Sequence, residues 1–390
     1  MSDLSLSREA LERSRSQLPV SSYFDEGLFR EEQVHIFSSA PRYLGHALAL
    51  PERGDYLALK QEDEGRALVH NASGIELVSN VCRHRQAIML QGRGNTGGHI
   101  VCPLHRWTYD LHGKLVGAPH FSEDPCLSLK RLAKGDLQQW QGLVFEAPGR
   151  PASTGLRHVA TDLKALGVAA ELDFTGFQFH SARVHECAYN WKSFIEVYLE
   201  DYHVGPFHPG LGRFVACDDL RWEMGPHHSV QTVGVHHELE RPGSETYQRW
   251  HDAVLKFRSG EPPAHGAIWL TLYPTTMVEW YPHVLVVSSL HPRGPQDTLN
   301  LVEFFYPEEI VAFEPDFIAA QQAAYMETCA EDDEIALRMD AGRRALMRRG
   351  DDEAGPYQSP MEDGMQHFHE WYRREMSAAA PTRVPLGTRR

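Results

Sequence analysis

The sequence lacks any hydrophobic run that approaches the roughly 20 apolar residues needed to cross a bilayer. Residues 1–19, MSDLSLSREALERSRSQLP, contain neither the apolar core nor the small-residue cleavage site of a secretory signal. Cysteine is scarce, with 6 residues in 390, which is too few for a disulfide scaffold. These absences argue against a membrane or secreted protein, and we expect a cytoplasmic location.

Positive charge is also in short supply. The chain has 38 Lys and Arg against 53 Asp and Glu, and the net charge of −15 argues against nucleic acid or an anionic membrane as a partner. The composition, with 42% hydrophobic and 23% charged residues, is that of globular domains. At about 150 residues per domain, the length predicts two or three domains. Histidine is plentiful, with 23 residues, and acidic enzymes rich in histidine often bind metal.

The spacing of turn residues divides the chain into three parts and predicts an α+β fold. Residues 1–40 have a helical pattern and are expected to pack on the C-terminal domain. Residues 41–150 alternate short β-type runs with Gly and Asn turns, which indicates a small all-β domain. Residues 151–390 combine strands, expected to form an antiparallel sheet, with flanking helices. One long helix is predicted to begin near residue 188, a second to span about 316–349, and a terminal one 362–374.

Two short Cys/His pairs form the first candidate metal site. Cys82 and His84 lie on one predicted loop, and Cys102 and His105 lie on another, with residues 85–101 between them. Structural zinc loops usually pair like with like, as C-x₂₋₄-C and H-x₃₋₅-H. In a Rieske [2Fe–2S] cluster, by contrast, two Cys hold one iron and two His hold the other. Loops that each supply one thiolate and one imidazole therefore favour the Rieske cluster, with a zinc ion as the alternative.

A second candidate site follows in the C-terminal domain. Helical periodicity places Lys192, Glu196, Glu200 and His203 on one polar face. A solvated face would explain a single His there. However, His208 follows a Gly-Pro pair that breaks helices, so we expect His203 to end the helix and His208 to lie on the next turn. The two imidazoles can then converge on one metal ion.

Non-haem Fe(II) oxygenases complete such a pair with a carboxylate, in a 2-His-1-carboxylate triad. Asp332 is the candidate, because it lies in the middle of an apolar stripe on the helix predicted at 316–349. A carboxylate on a buried stripe is costly unless it is paired or binds a metal. Glu331, Asp333 and Glu334 point away from the stripe and are interpreted as solvated acids. The stripe consists of Tyr325, Cys329, Ile335, Ala336, Met339 and Leu346.

The two sites together resemble the α subunits of Rieske ring-hydroxylating oxygenases. NVCRHR with CPLHRWTYDLHGKLVGAP resembles their Rieske domain, and NWK, EDYH and HP in that order resemble their catalytic helix. In this family the two His bind mononuclear iron, and a carboxylate three residues before the first His bridges to the Rieske domain of a neighbouring subunit. Glu200 occupies that position here, with Asp201 as the alternative bridge. Arg106 stands where the family usually has Gly.

The resemblance covers roughly residues 29–372 and implies an oxygenase component with one [2Fe–2S] cluster and one mononuclear Fe(II) per chain. It implies a reductase or ferredoxin as electron donor, with NAD(P)H acting only through that reductase. It also implies O₂ as co-substrate, and a homotrimer or a trimer with small β subunits. The reaction would be hydroxylation or oxidative demethylation of a small organic compound. Aromatic acids, aromatic amines and quaternary ammonium compounds all fit an apolar pocket. A Rieske-type electron carrier without oxygenase activity and a zinc-clamped binding protein are the alternatives.

Overall fold

The computed structural model describes residues 17–121, 130–146, 152–236 and 243–378. The domain boundary predicted at residues 150 and 151 and the first 16 residues of the predicted N-terminal segment lie outside these ranges. In the part of the chain that the structure describes, no helix is both long enough and apolar enough to span a membrane.

Small antiparallel sheets form the described residues between positions 42 and 146. Alternation along one central strand explains how they pack: Ala67 and Val69 face a cluster that contains Cys82 and Cys102, whereas Leu68 faces a second cluster. Within the described residues, the sheets have the orders β1-β11-β10, β5-β2-β3-β4-β9 and β6-β7-β8. The strands are β1 (Arg42–His46), β2 (Asp55–Ala58), β3 (Arg66–Asn71), β4 (Gly74–Ser79), β5 (Arg93–Asn95), β6 (His99–Val101), β7 (Thr108–Asp110), β8 (Leu115–Gly117), β9 (Lys134–Gly135), β10 (Leu137–Trp140) and β11 (Leu143–Glu146).

A seven-stranded antiparallel sheet forms the centre of the C-terminal part, in the order β12-β18-β17-β16-β15-β14-β13. Both faces of its inner strands are buried. Val284 and Val286 face one apolar cluster, and Leu285 and Val287 face another, which also includes Tyr43 of β1. The α+β prediction is confirmed. The strands are β12 (Phe177–Cys187), β13 (Val215–Gly225), β14 (His228–Val235), β15 (Ala267–Leu272), β16 (Thr276–Tyr281), β17 (Val284–Gly294) and β18 (Asp297–Pro307).

Helices surround the large sheet. The longest starts with Pro315, a residue suited to the first helical turn, and is followed by Gly350 at φ 77°, where glycine meets no steric penalty. It matches the helix predicted at 316–349. The helices are α1 (Glu26–Glu32), α2 (Ala152–Leu166), α3 (Trp191–Tyr198), α4 (Val204–Phe207), α5 (Leu211–Phe214), α6 (Glu245–Phe257), α7 (Glu308–Phe313), α8 (Pro315–Arg349) and α9 (Asp363–Ala378).

The helix expected from residue 188 to His203 is shorter than predicted, because it ends at Tyr198. The Asp201 backbone N–H donates to the Met361 carbonyl, 3.1 Å away, instead of continuing the helix. The Glu200 carboxylate accepts from the His203 backbone N–H at 3.1 Å and stabilises a turn. His203 therefore precedes the short helix α4 rather than ending α3, and His208 follows α4.

The polar face of α3 is buried and not solvated. Lys192 is 0% exposed, and its ammonium group lies 2.5 Å from the Glu32 carboxylate at the end of α1. The Trp191 indole and the Tyr372 hydroxyl also donate to Glu32, at 2.9 Å and 2.5 Å. One carboxylate thus connects α1, α3 and α9 and fixes the helix that leads to the His203 turn.

Candidate metal centres and active-site cavity

The two Cys/His loops of the N-terminal part have the same backbone design. Cys82 N–H donates to the Ala87 carbonyl at 2.9 Å, and Cys102 N–H donates to the Trp107 carbonyl at 2.8 Å. Both cysteines are buried, at 1% and 2% exposure. Each loop thereby presents one buried thiol and one imidazole.

The geometry of this site fits a two-iron cluster better than a single ion. The rings of His84 and His105 have centroids 4.7 Å apart, and the His84 Nδ1 atom is buried without a hydrogen-bond partner. One tetrahedral zinc ion needs all four donors within about 4 Å of each other. Among the described residues, these four do not form a set of donors within 4.8 Å, although two other sets do. The wider spacing agrees with two irons.

Arg106 has a backbone φ of 60°, in the left-handed region. This conformation explains why the family usually has glycine here, since a side chain in this region costs roughly 1–2 kcal/mol. Gln86 takes the same conformation at the matching position of the first loop, with φ 55°. Arg106 adopts a conformation that favours glycine and adds a cation next to His105 in the sequence.

His203, His208 and Asp332 converge next to the central sheet. The two Nε2 atoms lie 3.0 Å apart, and one Asp332 carboxylate oxygen lies 3.5 Å from His203 and 3.0 Å from His208. These three donor atoms form one of the two sets within 4.8 Å found among the described residues. The donor set is that of a non-haem Fe(II) site.

The electrostatics of the triad favour a bound cation. Burial lowers the pKa of His203, but hydrogen bonds to Asp332 and Glu200 outweigh burial and raise the pKa to about 10. Burial raises the pKa of Asp332, but its hydrogen bonds to both imidazoles bring the value below the usual range. The two facing imidazole nitrogens and the carboxylate therefore stabilise a positive charge between them. A bound metal ion can supply this charge in place of a proton.

Further carboxylates orient the two imidazoles. The Nδ1 atom of His203 lies 2.5 Å from the Glu200 carboxylate, and the Nδ1 atom of His208 lies 2.6 Å from the Glu331 carboxylate. Each contact fixes the tautomer that leaves Nε2 free to bind metal. The interpretation of Glu331 as a solvated acid is wrong, because its carboxylate contacts the His208 imidazole on the side opposite to Nε2, the atom near Asp332.

Asp333 is not a solvated acid either. Its carboxylate lies 2.7 Å from His185 and accepts from the Tyr189 hydroxyl at 2.7 Å, so it connects α8 to β12. His185, Cys187 and Asp333 are the second set of donors within 4.8 Å, and the ion pair and hydrogen bonds already satisfy them. Of the three neighbours, Glu334 is exposed as expected and pairs with Arg338.

Asp201 differs from Glu200 in its surroundings. It is 3% exposed and accepts from the Gln231 amide of the central sheet. Burial and the nearby Glu200 charge raise the pKa of Asp201 to about 7. Its contacts make Asp201 a link between the turn and the sheet.

A cavity opens beside the triad, between α8 and the central sheet. His203, His208 and Asp332 lie in its wall. The described residues that line it include no Lys or Arg. Its aromatic members include Tyr198, Tyr247, Trp250, Trp269, Tyr281 and Tyr325.

Family models match both parts of the chain. The Rieske [2Fe-2S] domain matches residues 42–140, and the ring hydroxylating alpha subunit (catalytic domain) matches residues 174–378. The second match spans more than half of the chain, so the chain belongs to the family of Rieske ring-hydroxylating oxygenase α subunits. The protein is the oxygenase component of a Rieske-type system, with a [2Fe–2S] cluster and a mononuclear iron as cofactors. Proteins of this family use an electron-donor protein, O₂ and a small substrate. The electron-carrier and zinc alternatives are therefore not supported.

Two curated relatives are highly similar. A putrescine 2-hydroxylase of Ralstonia nicotianae is 64% identical over 363 residues, which cover 93% of this chain and 96% of that protein. A putrescine 2-hydroxylase of Bordetella bronchiseptica is 59% identical over 377 residues, which cover 93% of this chain and 85% of the relative. Among solved structures, the quaternary ammonium Rieske monooxygenase CntA superposes with a TM-score of 0.76 at 19% identity, covering 95% of this chain and 98% of that one. It shares the fold.

Proposed function

We propose that this protein hydroxylates a primary aliphatic diamine, with putrescine (1,4-diaminobutane) as the first candidate. Identity of 64% across nearly the full length of a putrescine 2-hydroxylase carries the proposal. The cavity supports it, because its described lining includes no cation to pair with the carboxylate of an aromatic acid or of an amino acid. Aromatic and quaternary-ammonium substrates, both allowed by the sequence, are less well matched.

The proposal assigns the metal ligands by residue. Cys82, His84, Cys102 and His105 hold the cluster, which supplies single electrons when bound. His203, His208 and Asp332 hold the mononuclear iron, which activates O₂ when bound. Support comes from the matched loops, the unpartnered His84 Nδ1 atom and the converging Nε2 atoms.

Glu200 is assigned as the bridging carboxylate in preference to Asp201. One oxygen of its carboxylate contacts His203 Nδ1 and the other accepts from the His203 backbone N–H, and the remaining lone pairs can accept from a second imidazole, which would be His105 of a neighbouring subunit. Such a bridge requires an oligomer, for which the homotrimer of the family is the proposed state, with or without small β subunits. A reductase or ferredoxin is the proposed donor, and the low cysteine content favours the cytoplasm.

Reconstitution with a surrogate reductase tests the function. We expect putrescine-dependent O₂ uptake and a product that is one oxygen atom heavier. Carnitine, choline and benzoate are the comparison substrates. O₂ uptake with one of these three and none with putrescine would contradict the proposed substrate class. A protein with two irons per chain and no O₂ uptake with any substrate would instead point to an electron carrier.

A further inference from the structure

Glu279 on β16 is a buried carboxylate inside the active-site cavity. It is 1% exposed and lies in the cavity wall. The Tyr281 hydroxyl donates to one carboxylate oxygen and the Tyr325 hydroxyl donates to the other, both at 2.8 Å. The Trp269 indole N–H in turn donates to the Tyr281 oxygen at 3.0 Å. The two tyrosine hydroxyls thus donate directly to the Glu279 carboxylate, and the indole donates to one of these tyrosines.

The charge of Glu279 has no protein cation beside it. The described residues that line the cavity include no Lys or Arg, and its imidazoles are engaged by Asp332, Glu200 and Glu331. An unpaired buried carboxylate is strongly destabilising, so it either takes up a proton or pairs with a cation. Inside an open cavity, a cation that enters from solution would supply this partner.

The surroundings match an alkylammonium ion. Two tyrosine donors occupy two of the roughly four acceptor sites of the carboxylate, which leaves others for ligand N–H groups. The Tyr198 hydroxyl is buried in the same wall without a hydrogen-bond partner. Trp269, Tyr281 and Tyr325 add aromatic faces, which attract cations at close range. A quaternary ammonium would gain only the attraction to the aromatic rings, since it has no N–H group to donate to the carboxylate.

The position of Glu279 is set relative to the metal triad by α8. Tyr325, which holds Glu279, precedes Asp332 by two helical turns, or about 10 Å at 1.5 Å per residue. Glu279 and the triad line the same cavity, so a four-carbon chain that starts at Glu279 and runs along this wall extends toward the triad.

From this geometry we infer that Glu279 binds one protonated amino group of the substrate and so determines both the preference for primary amines and the carbon that faces the iron. The inference rests on the proposed function and adds to it a residue that selects and positions the substrate.

A proton should be released when the amine binds. Burial raises the pKa of Glu279 to about 7 in the empty cavity, so part of the population holds this proton near neutral pH. A bound ammonium favours the ionised form, and the proton leaves. The other titratable groups whose charges act on Glu279, or on which its charge acts, are Tyr198, Tyr281, Tyr325, Cys329 and Asp332.

Anaerobic titration calorimetry of the iron-loaded protein tests the inference. The variants are Glu279→Gln and, as control, Glu303→Gln. Glu303 is also fully buried, has a pKa that burial raises to about 7, and accepts from a tyrosine, Tyr43, at 2.6 Å. It lies outside the cavity lining.

We expect Glu279→Gln to weaken putrescine binding at least tenfold and to abolish proton release, measured in buffers of different ionisation enthalpy. Glu303→Gln should retain both. Equal affinity and equal proton release in wild type and Glu279→Gln would refute the role of Glu279 while leaving the proposed function intact. A wild-type protein that binds and oxidises no amine would refute the function itself.

Discussion

Asp332 is the residue on which the mononuclear site depends most directly. Replacing it by Ala removes one of three donors, so we expect iron content to fall from three per chain toward two, while the Rieske absorption persists. Metal analysis together with the reduced-state EPR spectrum measures this. Glu334→Ala is the matched control on the same helix, because Glu334 is exposed and pairs only with Arg338. Iron retained in Asp332→Ala would remove Asp332 from the ligand set.

Glu331 acts on the metal through His208, and its role is positional. Glu331→Gln keeps the volume of the side chain but removes the charge that stabilises the N–H form of His208 Nδ1. We expect iron affinity to fall about 10–100-fold, the range typical of lost outer-shell contacts. Competition with a chelator measures it, and Glu334→Gln is the control. Unchanged affinity would mean that the contact is dispensable.

The convergence of His203, His208 and Asp332 could be predicted from the sequence, because the spacing of these residues carries the signal. His203 and His208 lie on either side of a Gly-Pro pair, which in the structure belongs to the short helix α4, and Asp332 interrupts an apolar stripe. Glu279 and Glu331 could not be predicted in the same way. Glu279 sits in a strand of apolar and aromatic residues, and its role arises from Tyr325, which is distant in sequence and close in the fold.

At the scale of elements, α1 stabilises the catalytic helix through one side chain. Glu32 accepts from Trp191, Lys192 and Tyr372, so Glu32→Gln leaves the buried Lys192 ammonium without its counter-charge. Loss of one partner of a buried pair typically costs about 3–5 kcal/mol. We expect a clear drop in the thermal midpoint, measured by calorimetry. Glu31→Gln, which removes the charge of the half-exposed pair with His35, should cost no more than about 1 kcal/mol.

Long elements were predictable and short ones were not. The periodicity of α8 is sustained over nine turns or more and identifies the helix almost to its ends. The end of α3 depends on a single backbone hydrogen bond from Asp201 to Met361, a contact between segments 160 residues apart that no local pattern shows.

At the scale of the molecule, the two metal sites belong to separate apolar clusters. Cys102 packs in a cluster of the N-terminal sheets, whereas the triad lies beside the central sheet. We therefore expect Cys102→Ser to abolish the Rieske EPR signal while circular dichroism and mononuclear iron are largely retained. Loss of all iron and of folded structure would show that the parts fold as one unit.

The two parts are also linked by a group that titrates. Tyr43 of β1 donates to Glu303 of β18, and burial raises the pKa of Glu303 to about 7 from an ordinary 4.5. The unfolded chain therefore loses this proton at lower pH than the folded one, and the folded state loses stability as pH rises from about 4.5 to 7. Glu303→Gln removes this loss. We expect the difference in unfolding free energy, variant minus wild type, to increase by about 3 kcal/mol as the pH is raised from 4 to 8. A difference independent of pH would contradict this assignment.

Because Tyr325 and Asp332 belong to one uninterrupted helix, the separation between the amine site and the metal site does not depend on any mobile loop. Regiochemistry then follows from a fixed length and not from the relative strengths of the C–H bonds in the substrate. A diamine lengthened by one methylene would be oxidised at the same number of carbons from the amino group bound by Glu279. Compared with the product from putrescine, its hydroxyl group would therefore lie one carbon further from the amino group that Glu279 does not bind.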